Sequence, residues 1–199
     1  MRRDCCSLIG RLKAVPGIEK VTITTNGVLL DRYLDELMDA GIDGINISLD
    51  TLDRELYRDI TGTDALGRVL DVLGKASKGT APVKINAVSL DFGRKAKAGE
   101  PGGWKQLADL AEEFPVDVRF IEMMPIGCGK NFMAMNHQEL LEEMRRAYPH
   151  MEQTTGFTAS ARPCIIRFRD LREASGLSAQ FTENSAGTAT GSGLPPRAI

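Results

Sequence analysis

The sequence predicts an α/β protein whose parallel sheet curls toward an incomplete barrel. Short β-branched runs alternate with longer stretches of helical spacing along the first 150 residues, the pattern of successive βαβ units. Turn signals separate them, at Pro16-Gly17, Asn26-Gly27, Gly41 and Gly79. Polar residues interrupt or end the apolar runs, and in such folds the C-terminal strand ends are where the βα loops converge. Right-handed crossovers put the helices on one side of the sheet and curl it. Four units are too few to close a barrel.

The elements follow in order. Leu8 to Val15 fits the end of an amphipathic helix, closed by Pro16-Gly17. Ile18 to Thr25 is β-branched and partly alternating, and Asn26-Gly27 turns the chain after it. Leu30 to Ala40 returns to helical spacing through Tyr33, Leu34, Leu37 and Met38, and Gly41 stops it. Gly44 to Leu49 reads as the second strand, Asp53 to Ile60 as a short helix and Leu66 to Lys78 as a longer one. Val83 to Leu90 is the third strand, 91–103 a loop rich in Gly, Lys and Pro, and Trp104 to Phe114 a helix. Val116 to Met123 is the fourth strand, and Asn136 caps a helix over His137 to Ala147.

At 199 residues the chain can bury a sizeable core, and its 42 % apolar and 26 % charged residues are ordinary for a soluble protein. A formal net charge of −2 with no basic tract gives no continuous surface for a phosphate backbone, so no nucleic-acid partner is expected. No apolar run has the length of a membrane span and the N-terminus lacks a signal-type stretch, so the expectation is a cytoplasmic protein without a membrane partner. The four cysteines, Cys5, Cys6, Cys128 and Cys164, have neither metal-ligand nor disulfide-framework spacing.

Strands of a parallel sheet are usually continuous apolar runs, yet Lys84 and Asn86 lie inside the third and Arg119 and Glu122 inside the fourth. Two readings stand. The four form a structural ion-pair network, or Lys84 and Arg119 present cations to an anionic, phosphate-bearing ligand, with Asn86 and Glu122 orienting them. Met123-Met124 at the end of the fourth strand is either core filler or a soft wall against a purine or thioether.

Five pieces in order carry a resemblance: Thr22-Ile23-Thr24-Thr25-Asn26-Gly27, Ile45 through Asp53, Ile60-Thr61-Gly62, Val83-Lys84-Ile85-Asn86, and Arg119 through Gly127. The series resembles the GTP 3′,8-cyclase family of radical S-adenosylmethionine (SAM) enzymes, over about residues 1 to 150. The resemblance implies a partial radical-SAM barrel over residues 1–150. It implies a lyase of molybdenum cofactor biosynthesis that uses SAM and two 4Fe–4S clusters, the first generating a deoxyadenosyl radical that takes a ribose hydrogen from GTP. By matching position, Thr24, Lys84 and Arg119 are implied as GTP contacts and Ser48 and Met124 as SAM contacts. GTP is the implied partner and a homodimer the implied assembly. Neither cluster motif of the family is present in this sequence, so no metal ligands are assigned, and the chain as written is expected to be inactive.

After about Gly156 the resemblance stops. Residues 171 to 199 are rich in Ser, Ala, Gly and Thr, a composition that fits a disordered tail. A sharper reading comes from back-translation. With suitable codons and a shifted frame, Asn184 to Ala198 yields Phe-Cys-Gly-Asn-Cys-Asn-Arg-Val-Arg-Leu-Thr-Ala-Glu-Gly, the C-x2-C-N-R-x-R-L-T signature of the family, and Glu173 to Ala179 yields Gly-Ser-Ile-Gly-Phe-Ile-Ser. Residues 151–199 are therefore expected to be a divergent, frameshifted tail that after about Gly156 lacks regular structure packed on the barrel, apart from accidental short pieces.

Overall fold

A computed structural model describes residues 4–89, 103–123, 137–149, 151–155, 163–168 and 177–182, the last three stretches as backbone only. The elements run α1 (Cys5–Lys13), β1 (Thr22–Thr25), a 3-10 turn (Leu30–Arg32), α2 (Leu34–Asp39), β2 (Gly44–Ser48), α3 (Arg54–Thr61), α4 (Leu66–Ala76) and β3 (Val83–Ser89). Then follow α5 (Trp104–Glu113), β4 (Val116–Glu122), α6 (His137–Ala147), β5 (Met151–Thr155), β6 (Pro163–Phe168) and β7 (Leu177–Thr182). Among the described residues, one sheet holds seven strands in the order β1-β2-β3-β4-β7-β6-β5. The pairings β1–β2, β2–β3, β3–β4 and β4–β7 are parallel, while β5–β6 and β6–β7 are antiparallel. The four expected parallel strands and their flanking helices are present as an α/β layer pair.

Side chains alternate across a strand with period two, and burial follows that period. In β3, Val83, Ile85, Ala87 and Ser89 are buried while Lys84, Asn86 and Val88 between them are half-exposed. Of these, Val83, Ile85 and Ala87 join Ile45 and Ile47 of β2 and Val116, Val118 and Phe120 of β4 in one apolar core with the helices. From α4 come Val69, Val72, Leu73 and Ala76, at the spacing that puts them on one helix face, and from α5 Leu107, Ala108, Leu110 and Ala111. Fully burying one Leu, Ile or Phe contributes about 1.5–3 kcal/mol, so this interface is the main source of stability. The other sheet face carries the polar residues.

Local chemistry explains the element ends. Asp53 caps α3, its carboxylate accepting the Leu56 N–H at 2.7 Å, and Gly62 ends that helix in the left-handed region at φ 70°. Asp43 ties α1 to the start of β1, accepting Val21 N–H and Lys13 Nζ at 2.7 Å each. Those bonds hold its carboxyl below the ordinary range, Lys13 contributing most.

Three expectations are corrected. The helix expected over Leu30–Ala40 is split at Tyr33, because its first turn closes i→i+3 bonds, Arg32 N–H to Leu29 O and Tyr33 N–H to Leu30 O. The first strand is only Thr22–Thr25, since Val21 N–H is taken by the Asp43 side chain instead of a neighbouring strand. The tail expected to be irregular contributes β6 and β7, and β5 precedes them. Val118 to Ile121 of β4 pair with Ala179 to Thr182. An open strand edge presents unpaired N–H and C=O groups and takes up extended segments of β-forming residues, such as Ile165-Ile166 and Phe181.

Candidate functional site

The half-exposed face of the sheet is built by register. One row across the four strands is Thr24, Asn46, Lys84 and Asp117, and the next is Ser48, Asn86 and Arg119. Neighbouring strands lie about 4.8 Å apart, so residues in one row are lateral neighbours. Thr24, Ser48, Lys84 and Arg119, singled out in the sequence, therefore lie on one face. Met124 lies outside the described residues. Glu122 pairs in register with Ser89.

An acidic neighbour of the two cations is Asp117. Lys84 Nζ stands 3.3 Å from Asp117 Oδ2, with 24 % and 28 % of the two side chains exposed. Burial pushes the Arg119 guanidinium down from its ordinary range, and the charge of Asp117 opposes that shift. Arg119 Nε and Asn86 Oδ1 are buried without a hydrogen-bond partner. Leaving such a donor or acceptor unsatisfied costs roughly 1–3 kcal/mol each, so this face has unmet hydrogen-bonding capacity of both kinds.

Asn46 completes the Thr24 end. Its Nδ2 donates to Ile23 O at 3.2 Å and to Thr24 Oγ1 at 3.4 Å. The following turn is held by side chains: Thr25 Oγ1 accepts the Gly27 N–H and Asn26 Oδ1 the Val28 N–H, both at 3.2 Å. Asn46 and Asp117 were not singled out in the sequence. Counting back two residues from Ser48 and from Arg119 finds both, because period two returns to the same face.

At the end of β2 a carboxylate continues the ladder. Leu49 N–H reaches Asn86 O at 2.9 Å, and Asp50 Oδ1 then accepts the Val88 N–H at 2.8 Å. Burial raises the Asp50 carboxyl, partly offset by that bond. A carboxyl raised on folding takes up its proton in the folded state first, so stability increases as pH falls from its folded toward its unfolded pKa. Asp50→Asn retains an acceptor without the charge and is expected to raise the thermal midpoint at pH 7. Asp50→Ala orphans the Val88 N–H and is expected to lower stability by about 1–3 kcal/mol. Thermal melts of both variants across pH check this, and a midpoint raised by alanine would contradict it.

Among the described residues no three His, Cys, Asp or Glu side chains converge as a metal site. Cys5 and Cys6 sit in the first turn of α1 with Sγ atoms 3.8 Å apart. Burial, then Cys5 itself, pushes the Cys6 thiol up to about 12. Among the described residues no helix is long and apolar enough to cross a membrane.

Residues 1–91 match the family model of the radical SAM superfamily. The chain is 38 % identical over 146 residues to a GTP 3′,8-cyclase of Clostridium perfringens, covering 73 % of this chain and 43 % of that protein. It is 39 % identical over 153 residues to a GTP 3′,8-cyclase of Chlorobaculum tepidum, covering 75 % and 44 %. Over 156 residues it is 35 % identical to molybdenum cofactor biosynthesis protein 1 of Bos taurus, covering 77 % and 24 %. The chain spans less than half the length of these relatives.

Proposed function

We propose that the chain, whose residues 1–91 match the family model of the radical SAM superfamily, provides the nucleotide-binding face of a GTP 3′,8-cyclase, a lyase of molybdenum cofactor biosynthesis. In this reading Lys84 and Arg119 take the negative charge of GTP and the Thr24 hydroxyl supplies a further hydrogen bond. Ser48 and Met124 take SAM, which supplies the radical chemistry when bound. What supports a SAM site within the described residues is chemical fit. Ser48 offers an exposed hydroxyl at the end of β2, and Asn86 Oδ1 beside it in register is an acceptor lacking a donor, which an ammonium or ribose hydroxyl would provide. The described residues do not fit an iron–sulfur cluster, because Cys5 and Cys6 adjoin on one helical turn and no third ligand converges with them.

The observation that carries this reading is the pair of cations on one sheet face, Lys84 half-exposed and Arg119 with a buried, unsatisfied Nε. A multiply charged phosphate group supplies both a counter-charge and acceptor oxygens. Lys84→Ala is expected to weaken GTP binding by about 1–3 kcal/mol, the worth of a charged hydrogen bond. Titration calorimetry of the chain and the variant checks it. Equal affinity would sink the assignment of Lys84.

A further inference from the structure

We propose that Asp117 sets the anion affinity of this face: it is a built-in competitor for Lys84 that penalises binding in proportion to ligand charge. The inference rests on the reading that Lys84 meets the phosphates of a nucleotide. Three observations carry it. Asp117 is the register partner of Lys84, on the same face. Its carboxylate is 3.3 Å from Lys84 Nζ. Its charge also acts on Arg119, two residues along the same strand. Of the charged residues that register puts on this face of β1 to β4, Lys84 and Arg119 contribute +2 and Asp117 −1, leaving +1.

A triphosphate arriving at this face meets one carboxylate between two cations. Lys84 must leave or share Asp117 to reach a phosphate oxygen, and the carboxylate repels the incoming charge. The ion pair is about a quarter exposed on each side, so neither effect is fully screened by water. A neutral nucleoside feels neither. Asp117 therefore lowers the share of affinity that phosphates alone can supply and raises the share that base and ribose must supply. That makes it a specificity-determining residue against bare polyanions.

The test is Asp117→Asn, which keeps size and hydrogen bonding but removes the charge. The full chain is titrated calorimetrically with GTP, GMP, guanosine and inorganic tripolyphosphate. The expected result is about three- to fivefold tighter binding of GTP and tripolyphosphate, as for loss of a partly exposed charge. GMP should gain less and guanosine nothing, and the gain should shrink as salt is raised. Asp117→Ser, equally uncharged, serves if the asparagine variant does not fold, and circular dichroism monitors both. Unchanged or weaker GTP binding in the variant, or equal tightening of guanosine, overturns the proposal. If Lys84→Ala weakens GTP while Asp117→Asn leaves it unchanged, only this inference fails. If Lys84→Ala has no effect, the nucleotide reading fails with it.

Discussion

Truncating Phe120 to alanine is expected to lower stability by about 3–5 kcal/mol, the range for removing a large aromatic side chain from a core. Phe120 is 2 % exposed, the largest of the fully enclosed apolar side chains. In register it stands between Ala87 of β3 and Phe181 of β7. Its small neighbour Ala87, itself buried, cannot fill the volume left behind. Packing at interior density leaves a cavity unless the helix layer collapses into it. At about 2–4 °C per kcal/mol for a chain of this size, the thermal midpoint should fall by roughly 6–20 °C. Denaturant titration measures the free energy directly, and a loss under about 1 kcal/mol would mean that Phe120 is not the centre of this core. Because Phe120 belongs to the buried alternate set and Arg119 to the polar one, the proposed GTP binding of the folded fraction should change little.

Gly27→Val should cost about 2–6 kcal/mol, through two separable effects. Gly27 has φ 77°, a left-handed conformation that costs a β-branched residue of order 1–3 kcal/mol. A Cβ built there would also stand 3.1 Å from Val69 Cγ1 and 3.4 Å from Ile47 Cγ2. That overpacking adds a similar amount where α4 meets β2. Val69→Ala opens space beside the new side chain but leaves the backbone strain. The double variant should therefore recover part of the loss relative to the two single changes. Additive losses in chemical denaturation would show that the contact with Val69 does not contribute. Gly27 follows directly on Thr24, Thr25 and Asn26, so the same substitution distorts the turn that carries the Thr24 end of the candidate site.

How legible these features were differs by kind. The helix over His137–Ala147 has the bounds that its spacing implies, and the helices α3, α4 and α5 end within a residue or two of their apolar patterns and Gly signals. Such features depend on neighbours within one or two turns, which sequence displays directly. The polar breaks in β3 and β4 were visible for the same reason, since a lysine or arginine in an otherwise apolar run stands out whatever surrounds it. The break at Tyr33 was not, because Leu30, Leu34 and Leu37 keep helical spacing across it and only the i→i+3 bonds distinguish the 3-10 turn.

By itself the sequence determined the alternation of strands and helices, the apolar faces that join them, and the presence of two cations among strand residues. It left open which acid accompanies those cations: the sequence reading gave Glu122 an orienting role and did not weigh Asp117. Tertiary structure decided that question through register: Lys84 pairs with Asp117, Asn86 with Arg119, and Ser89 with Glu122. It also decided that residues 163–168 and 177–182 join the sheet. The physical reason is common to both. Element type follows from local periodicity, but register and strand partnership relate segments separated by whole helices. A shift of one residue between such segments exchanges one face for the other.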